Sequence, residues 1–195
     1  MLDGVNKSLD KQIDVLESIL LKNKTLKYLL EVLDKSGLEN YYIGAGCINQ
    51  TVFNYYSGYD IEYGIGDYDI VYYDEDLSYE AEDKIIKMIH SKVCDMDINL
   101  DIKNEARVHL WYEEKFGRKI EAYTSVEDAI GRWTSTATCI GVRYKNGKFI
   151  VYAPYGLNDI FSMIIRPVVG NVSTEIYCKK CLKWKDKWPK LKIVS

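Results

Sequence analysis

The sequence predicts one small mixed α/β sheet carried by helices. Three observations lead there: apolar residues at helical spacing near both ends, short β-branched and aromatic runs between them, and an Asn-Gly turn signal within one pair of runs. With 195 residues there is room for one domain, or for one with a helical appendage. Leu9, Ile13, Leu16 and Leu20 recur every three or four positions, so residues 5–22 read as an amphipathic helix. Leu26, Leu29, Leu30 and Leu33 continue as a second helix, stopped at Ser36-Gly37. Residues 1–36 are therefore expected as a helical pair packed on a core formed by 37–195, the whole being one structural unit.

Tyr41-Tyr42-Ile43 reads as a strand running into Gly44-Ala45-Gly46, followed by a helix over 47–57 that ends at Gly58. Ile70 to Tyr73 is a strand, 80–92 a helix, and 97–103 a strand. In that last strand Ile98, Leu100 and Ile102 share one face, and Asp97, Asn99, Asp101 and Lys103 share the other. Residues 105–116 and 125–132 read as helices. Residues 138–144 and 149–152 form a hairpin about Asn146-Gly147, a pair suited to positive φ. Helices are expected over 157–165 and 173–188. In the last of these, Tyr177, Cys181, Trp184 and Trp188 make one face, read as core, and lysines fill the rest.

Composition narrows the function classes. Lys+Arg is 26 against Asp+Glu 29, a net charge of -3, which argues against a long nucleic-acid partner. No stretch approaches the roughly 18 apolar residues of a membrane span. Charges interrupt the first two dozen residues, so no secretory signal is read and the cytoplasm is the expected location. Five scattered cysteines then read as reduced thiols. Cys178 and Cys181 have CxxC spacing but lack a second ligand pair. Asn171-Val172-Ser173 is a sequon that a cytoplasmic protein would not use. The 17 tyrosines and the preponderance of Lys over Arg are attributed to genome composition.

The chemistry lies in Gly66-Asp67-Tyr68-Asp69 ahead of an apolar strand. A period of two sends Asp67 and Asp69 to one side, where they repel unless a cation lies between them. Mg²⁺ (or Mn²⁺) is the matching ion, taking one or two carboxylates and leaving positions for water and phosphate. Asp101, on the polar side of the next strand, is the candidate third carboxylate. Gly44, Ala45 and Gly46 form a small-residue turn before a helix, a place for a phosphate to meet backbone N–H groups.

These residues resemble the nucleotidyltransferase superfamily that includes DNA polymerase beta. More narrowly the chain is similar to a bacterial family of uncharacterised nucleotidyltransferases of about this length. The resemblance is carried by GAGCINQTVFN (44–54), GDYDIVYYD (66–74), NEARVHLWYEEKFG (104–117), YTSVEDAIGRW (123–133), TATCIGVR (136–143) and YAPYGLNDIF (152–161). It implies a polymerase beta-like fold with a helical C-terminal third. It also implies Asp67, Asp69 and Asp101 as metal ligands and catalytic carboxylates, with the phosphates over Gly44–Gly46. The superfamily usually has Gly-Ser or Gly-Gly in this turn, and a basic residue after it; here stand Gly-Ala-Gly and Asn49-Gln50. Asn49, Arg107, Arg132 and Arg143 are the remaining candidates for nucleotide contact, and Tyr152 and Tyr155 for lining the pocket.

The expected activity is transfer of an NMP group from an NTP, ATP among them, to an acceptor hydroxyl with release of pyrophosphate. The acceptor, a small molecule or a macromolecule, is not legible in the residues. The competing expectation, motivated by the altered turn, is a nucleotide- or partner-binding module of the same fold without turnover.

Overall fold

A computed structural model describes residues 2–170 and 174–194, so the Asn171–Ser173 sequon lies outside the described residues. Two N-terminal helices, α1 (Leu9–Leu20) and α2 (Lys24–Asp34), lead to strand β1 (Tyr41–Gly44) and helix α3 (Gly46–Ser57). Next come β2 (Tyr68–Tyr72), α4 (Tyr79–Lys92) and β3 (Leu100–Asn104). A 3₁₀ turn (Glu105–Arg107) then enters α5 (Val108–Phe116), and α6 (Val126–Gly131) follows. The hairpin β4 (Gly141–Lys145) and β5 (Lys148–Tyr152) precedes α7 (Asn158–Phe161), β6 (Ile164–Ile165), α8 (Thr174–Lys187) and β7 (Lys192–Ile193).

The main sheet has five strands in the order β3-β2-β1-β4-β5. Only the β2–β3 pair is parallel; the other three are antiparallel. The sheet is therefore mixed, as expected. Strand alternation separates its two faces. Ile43, Ile70, Tyr72, Ile102 and Val142 are buried in the main core with Leu16, Ile19, Leu20, Leu29 and Leu30 of α1 and α2. Each such fully buried aliphatic side chain stabilises the fold by about 1.5–3 kcal/mol. The opposite face carries a smaller cluster, in which Tyr42 and Val71 meet Val126 and Ile130 of α6. The rest of that face is open, and the polar strand residues project there.

Local chemistry sets the element ends. Asn23 caps α2 by accepting from Leu26 N–H at 2.9 Å, and its amide donates to Thr51 Oγ1 at 3.1 Å, which ties the helical pair to α3. Ser78 and Ser125 cap α4 and α6 in the same way. The hairpin turns on Asn146 (φ 55°) and Gly147 (φ 73°), both with the positive φ of the expected turn.

Several expectations needed correction; the hairpin strand expected over 138–144 spans Gly141–Lys145, and the strand expected from Ile70 begins at Tyr68. The strand expected from residue 97 begins at Leu100. The helix expected from 105 opens with a 3₁₀ turn, because Asn104 accepts from Asp74 N–H and Ala106 N–H and so stops the strand. The helix expected over 157–165 is a single turn, after which Ile164–Ile165 pair in parallel with Lys192–Ile193. Arg166-Pro167 gives the reason: the residue before a proline avoids helix, and Ile164 and Ile165 are β-branched. Three of the four residues of the C-terminal stripe are core as expected, while Trp184 is half-buried and lines a cavity. Tyr177, Cys181 and Trp188 are buried, and the Trp188 indole N–H donates to Asn54 Oδ1 at 2.7 Å.

Candidate active site

The register places Asp101, Asp69, Gly44 and Gly141 side by side in one row across β3, β2, β1 and β4. Being out of phase with the core residues, this row lies on the open face. The two glycines are there for packing. A Cβ on Gly44 would stand 2.7 Å from the Ile140 carbonyl oxygen and 2.8 Å from the Trp133 ring; one on Gly141 would meet the Tyr42 ring at 2.7 Å. Their absence lets the segment around Trp133 approach the sheet and wall off a cavity of about 390 Å³.

Ala45, Gly46, Asp67, Asp69, Glu105 and Lys180 bring the cavity its polar groups. Trp111, Tyr112, Phe116, Tyr123, Trp133 and Trp184 give it an aromatic wall. Ala45 turns the chain from β1 into α3 with φ 56° and ψ -130°, a region that glycine adopts more readily. Its N–H donates to Ile140 O at 3.1 Å. The backbone donors left for an anion are thus the first-turn N–H groups of α3, from Gly46 onward, at the positive end of the helix dipole.

The electrostatics are those of crowded carboxylates. Burial, reinforced by Asp67 and then Asp101, pushes Asp69 from 3.8 up to about 7, against the pull of Lys103 and Lys180. Burial likewise pushes Glu105 up to about 7, with Lys103 opposing. Lys180 is exposed as a residue, and its ammonium donates to Thr134 Oγ1 at 3.1 Å. Burial lowers its pKa, and Asp69 and Asp67 oppose that. Burial, and then the nearby Asp69, push the Cys47 thiol well up, which favours its protonated form.

The sequence candidates divide accordingly. Asp67, Asp69, Ala45, Gly46 and Arg132 line the cavity, although Arg132 is bound to Asp128 at 2.8 and 3.0 Å. Gly44 supports it from beneath. Asp101 is next to Asp69 in register but is ion-paired with Lys103 and faces a neighbouring groove. Asn49 is 1% exposed, with neither amide atom partnered, and does not line the cavity. Arg107 is held by Glu82 and donates to Leu77 O. Arg143 lies over the Tyr42 ring, 4.7 Å from its centroid, and donates to Tyr41 O. The structure brings neither arginine to the cavity. Tyr152 packs on Tyr42 and Tyr155 donates to Gly131 O, so both lie outside it too.

Sequence reasoning missed Glu105, Lys103 and Lys180 as cavity residues. Alternation did put Lys103 on the face of Asp101. Lys180 is four residues before Trp184, which also lines the cavity, so helical spacing held that signal.

A family model described as nucleotidyltransferase matches residues 31–193. The chain belongs to the nucleotidyltransferase family. Family and fold together support NMP transfer as the general activity of this nucleotidyltransferase. Among solved structures, one described as revealing a CCA-adding enzyme head domain matches with a TM-score of 0.72 and 24% identity, covering 92% of this chain and 95% of that one. That match gives the nucleotidyltransferase the polymerase beta-like fold expected from its sequence. A chain from "Structure of tRNA-processing enzyme complex 3" aligns with a TM-score of 0.49 and 16% identity over 85% of this chain and 43% of that one. No curated protein matches significantly. No helix among the described residues is long and apolar enough to cross a membrane.

Proposed function

We propose that the open-face cavity is the active site of a divalent-metal-dependent nucleotidyltransferase, which moves an NMP group from an NTP to an acceptor hydroxyl. The observation that carries this reading is the meeting, in one cavity, of a helix N-terminus with Asp69 of the adjoining strand β2 and Asp67 just ahead of it. Asp67 and Asp69 suit Mg²⁺ or Mn²⁺. Both are hard oxygen donors, and Asp69 is a half-buried carboxylate crowded by like charges, which a cation would relieve. Among the described residues no group of three or more His, Cys, Asp or Glu side chains is placed to hold a metal ion. Two carboxylates leaving positions for water and phosphate are what Mg²⁺ commonly uses. When bound, the metal would neutralise phosphate charge and lower the pKa of the acceptor hydroxyl.

The residues of the chain supply the rest. The first-turn N–H groups of α3 receive phosphate oxygens. Lys180 contributes the positive charge missing at Asn49-Gln50, reaching the cavity from the far end of the sequence. Asp67 and Asp69 would hold the cation that lets the triphosphate lie against them with its α-phosphorus towards the acceptor. The acceptor oxygen attacks in line, the bond from the α-phosphorus to the bridging oxygen breaks, the hydroxyl proton passes to solvent, and pyrophosphate leaves. The aromatic wall excludes water and offers flat surfaces to the substrates.

Water serves as a substitute acceptor, which makes the test independent of the true one. Wild-type protein with Mg²⁺ and ATP should slowly form AMP and pyrophosphate. Asp67→Asn and Asp69→Asn should each lower that rate at least about 100-fold, the scale of losing one fixed electrostatic group. Metal-dependent ATP binding without any pyrophosphate, with water or across a panel of alcohols, would favour the binding-module reading. Near-native turnover in Asp69→Asn would remove the proposed mechanism.

A further inference from the structure

Glu105 lines the cavity, is only 5% exposed, and makes no side-chain hydrogen bond or ion pair among the described residues. A buried carboxylate left unpaired is costly. Its backbone is held from both sides: the Asn104 side chain accepts from Asp74 N–H and Ala106 N–H, and Ala106 and Val108 are buried. The cations that line the cavity have other partners. Lys103 has Asp101, Arg132 has Asp128, and Lys180 donates to Thr134. Glu105 also opens a helical face. Val108, Tyr112 and Phe116 follow it at steps of three or four residues, Trp111 stands beside them, and all line the cavity. The register sets this corner apart from the transfer centre. Asp101 is opposite Asp69 and Asn104 opposite Tyr72, so Glu105 comes four residues beyond the level of Asp69. At about 3.3 Å per residue, its backbone lies roughly 10–13 Å along the sheet from Asp69.

We propose, resting on the nucleotidyl-transfer reading above, that Glu105 and the aromatic wall hold the far end of the acceptor, and that this end carries an ammonium group. The acceptor class is then an amino alcohol, with its hydroxyl towards Asp67 and Asp69 and its cation on Glu105. The argument is one of charge and shape. The carboxylates lining the cavity are Asp67, Asp69 and Glu105. A divalent ion offsets the first two and Lys180 serves the phosphates, so Glu105 is the carboxylate that the metal–nucleotide complex leaves without a counter-charge. A nucleobase amine offers Glu105 dipoles only and leaves its charge uncompensated. An ammonium compensates it, and aromatic faces attract the same cation. The distance from the transfer centre keeps Glu105 away from the reacting atoms, so it determines specificity and takes no part in the chemical step.

The test compares matched acceptors. Wild-type protein with Mg²⁺ and ATP is given the amino alcohols from aminopropanol to aminohexanol, hydroxyl and amine at opposite ends. In parallel it is given the alcohols in which a methyl group replaces the ammonium, butanol to heptanol. The adenylylated alcohol and pyrophosphate are measured. At the best chain length, kcat/KM for the amino alcohol should exceed that of its neutral counterpart at least about tenfold, and Glu105→Gln should cut that ratio below about threefold. Glu105→Asp keeps the charge on a shorter stem, so it should keep the preference and move it to a longer chain; this shift carries the test should Glu105→Gln fold poorly. A wild type without preference for the ammonium series would overturn the proposal. So would a preference that survives in Glu105→Gln. A Glu105→Gln protein that reorders ATP, GTP, CTP and UTP but leaves the acceptor ratio unchanged would overturn it in favour of a nucleobase site. A wild type that forms no pyrophosphate from ATP, with water or with any alcohol, would remove the transfer reading itself. Turnover with water but without ammonium preference would overturn the acceptor class alone.

Discussion

Asp69→Asn should make the metal-free protein more stable at neutral and alkaline pH while disabling the site. The carboxyl is raised from 3.8 to about 7 by burial and by Asp67 and Asp101. Each tenfold in proton affinity is about 1.4 kcal/mol, so ionising Asp69 in the folded protein costs at most about 4 kcal/mol. Solvent reaching a partly open cavity reduces this to about 1–3 kcal/mol. The sign follows from linkage. The folded state holds the proton more tightly than the unfolded state, so Asp69 leaves stability intact below pH 3.8, and stability falls as pH rises towards about 7. Asparagine cannot ionise and escapes that loss. A change of 1 kcal/mol moves the melting temperature of a chain this size by about 2–4 °C. Thermal unfolding in EDTA should therefore place Asp69→Asn roughly 3–10 °C above wild type at pH 8, and close to it at pH 4. Adding Mg²⁺ should raise the wild type more than the variant. An Asp69→Asn protein that melts below wild type at pH 8 in EDTA would refute the reasoning, because it would mean that the carboxylate is satisfied by a partner.

Gly44→Ala places a methyl group 2.7 Å from a backbone oxygen and should cost about 1–3 kcal/mol, seen as a lower midpoint in urea. Ala45→Gly relieves a residue at φ 56° and ψ -130° and should raise stability by about 1 kcal/mol in the same assay. Lys180→Met should weaken Mg²⁺-dependent binding of ATP about tenfold while changing AMP little, because the ammonium serves the phosphates; calorimetric titration reads both. Asn54→Ala strands the buried Trp188 indole N–H and should cost about 1–3 kcal/mol, checked by the melting temperature.

The polar site was legible where the chain is periodic. Alternation put Asp67 and Asp69 on one side and Asp101 with Lys103 on one strand face, and the register of β2 and β3 sets Asp101 beside Asp69. The glycine turn was legible as a turn, but the reason for Gly44 was not. Its missing side chain accommodates Trp133, a contact between residues 89 positions apart that no local pattern records. Arg107 and Arg143 stood out because arginine is scarce, yet scarcity carries no direction: one is bound to Glu82 and the other covers Tyr42. Lys180 was hidden for the opposite reason, as one lysine among several on a helix whose rotation depends on the buried Tyr177, Cys181 and Trp188. The one-turn α7 was missed because the Ile164–Ile165 strand has its partner at the far end of the chain.

The central claim, that Asp67 and Asp69 hold a metal which in turn holds an NTP over the start of α3, is met most directly by one titration. A non-hydrolysable ATP analogue is titrated into wild type and Asp69→Asn, with Mg²⁺ and with EDTA. Binding in wild type with Mg²⁺, falling at least about tenfold in EDTA and in Asp69→Asn, is the predicted result. Equal affinity under all four conditions would contradict it.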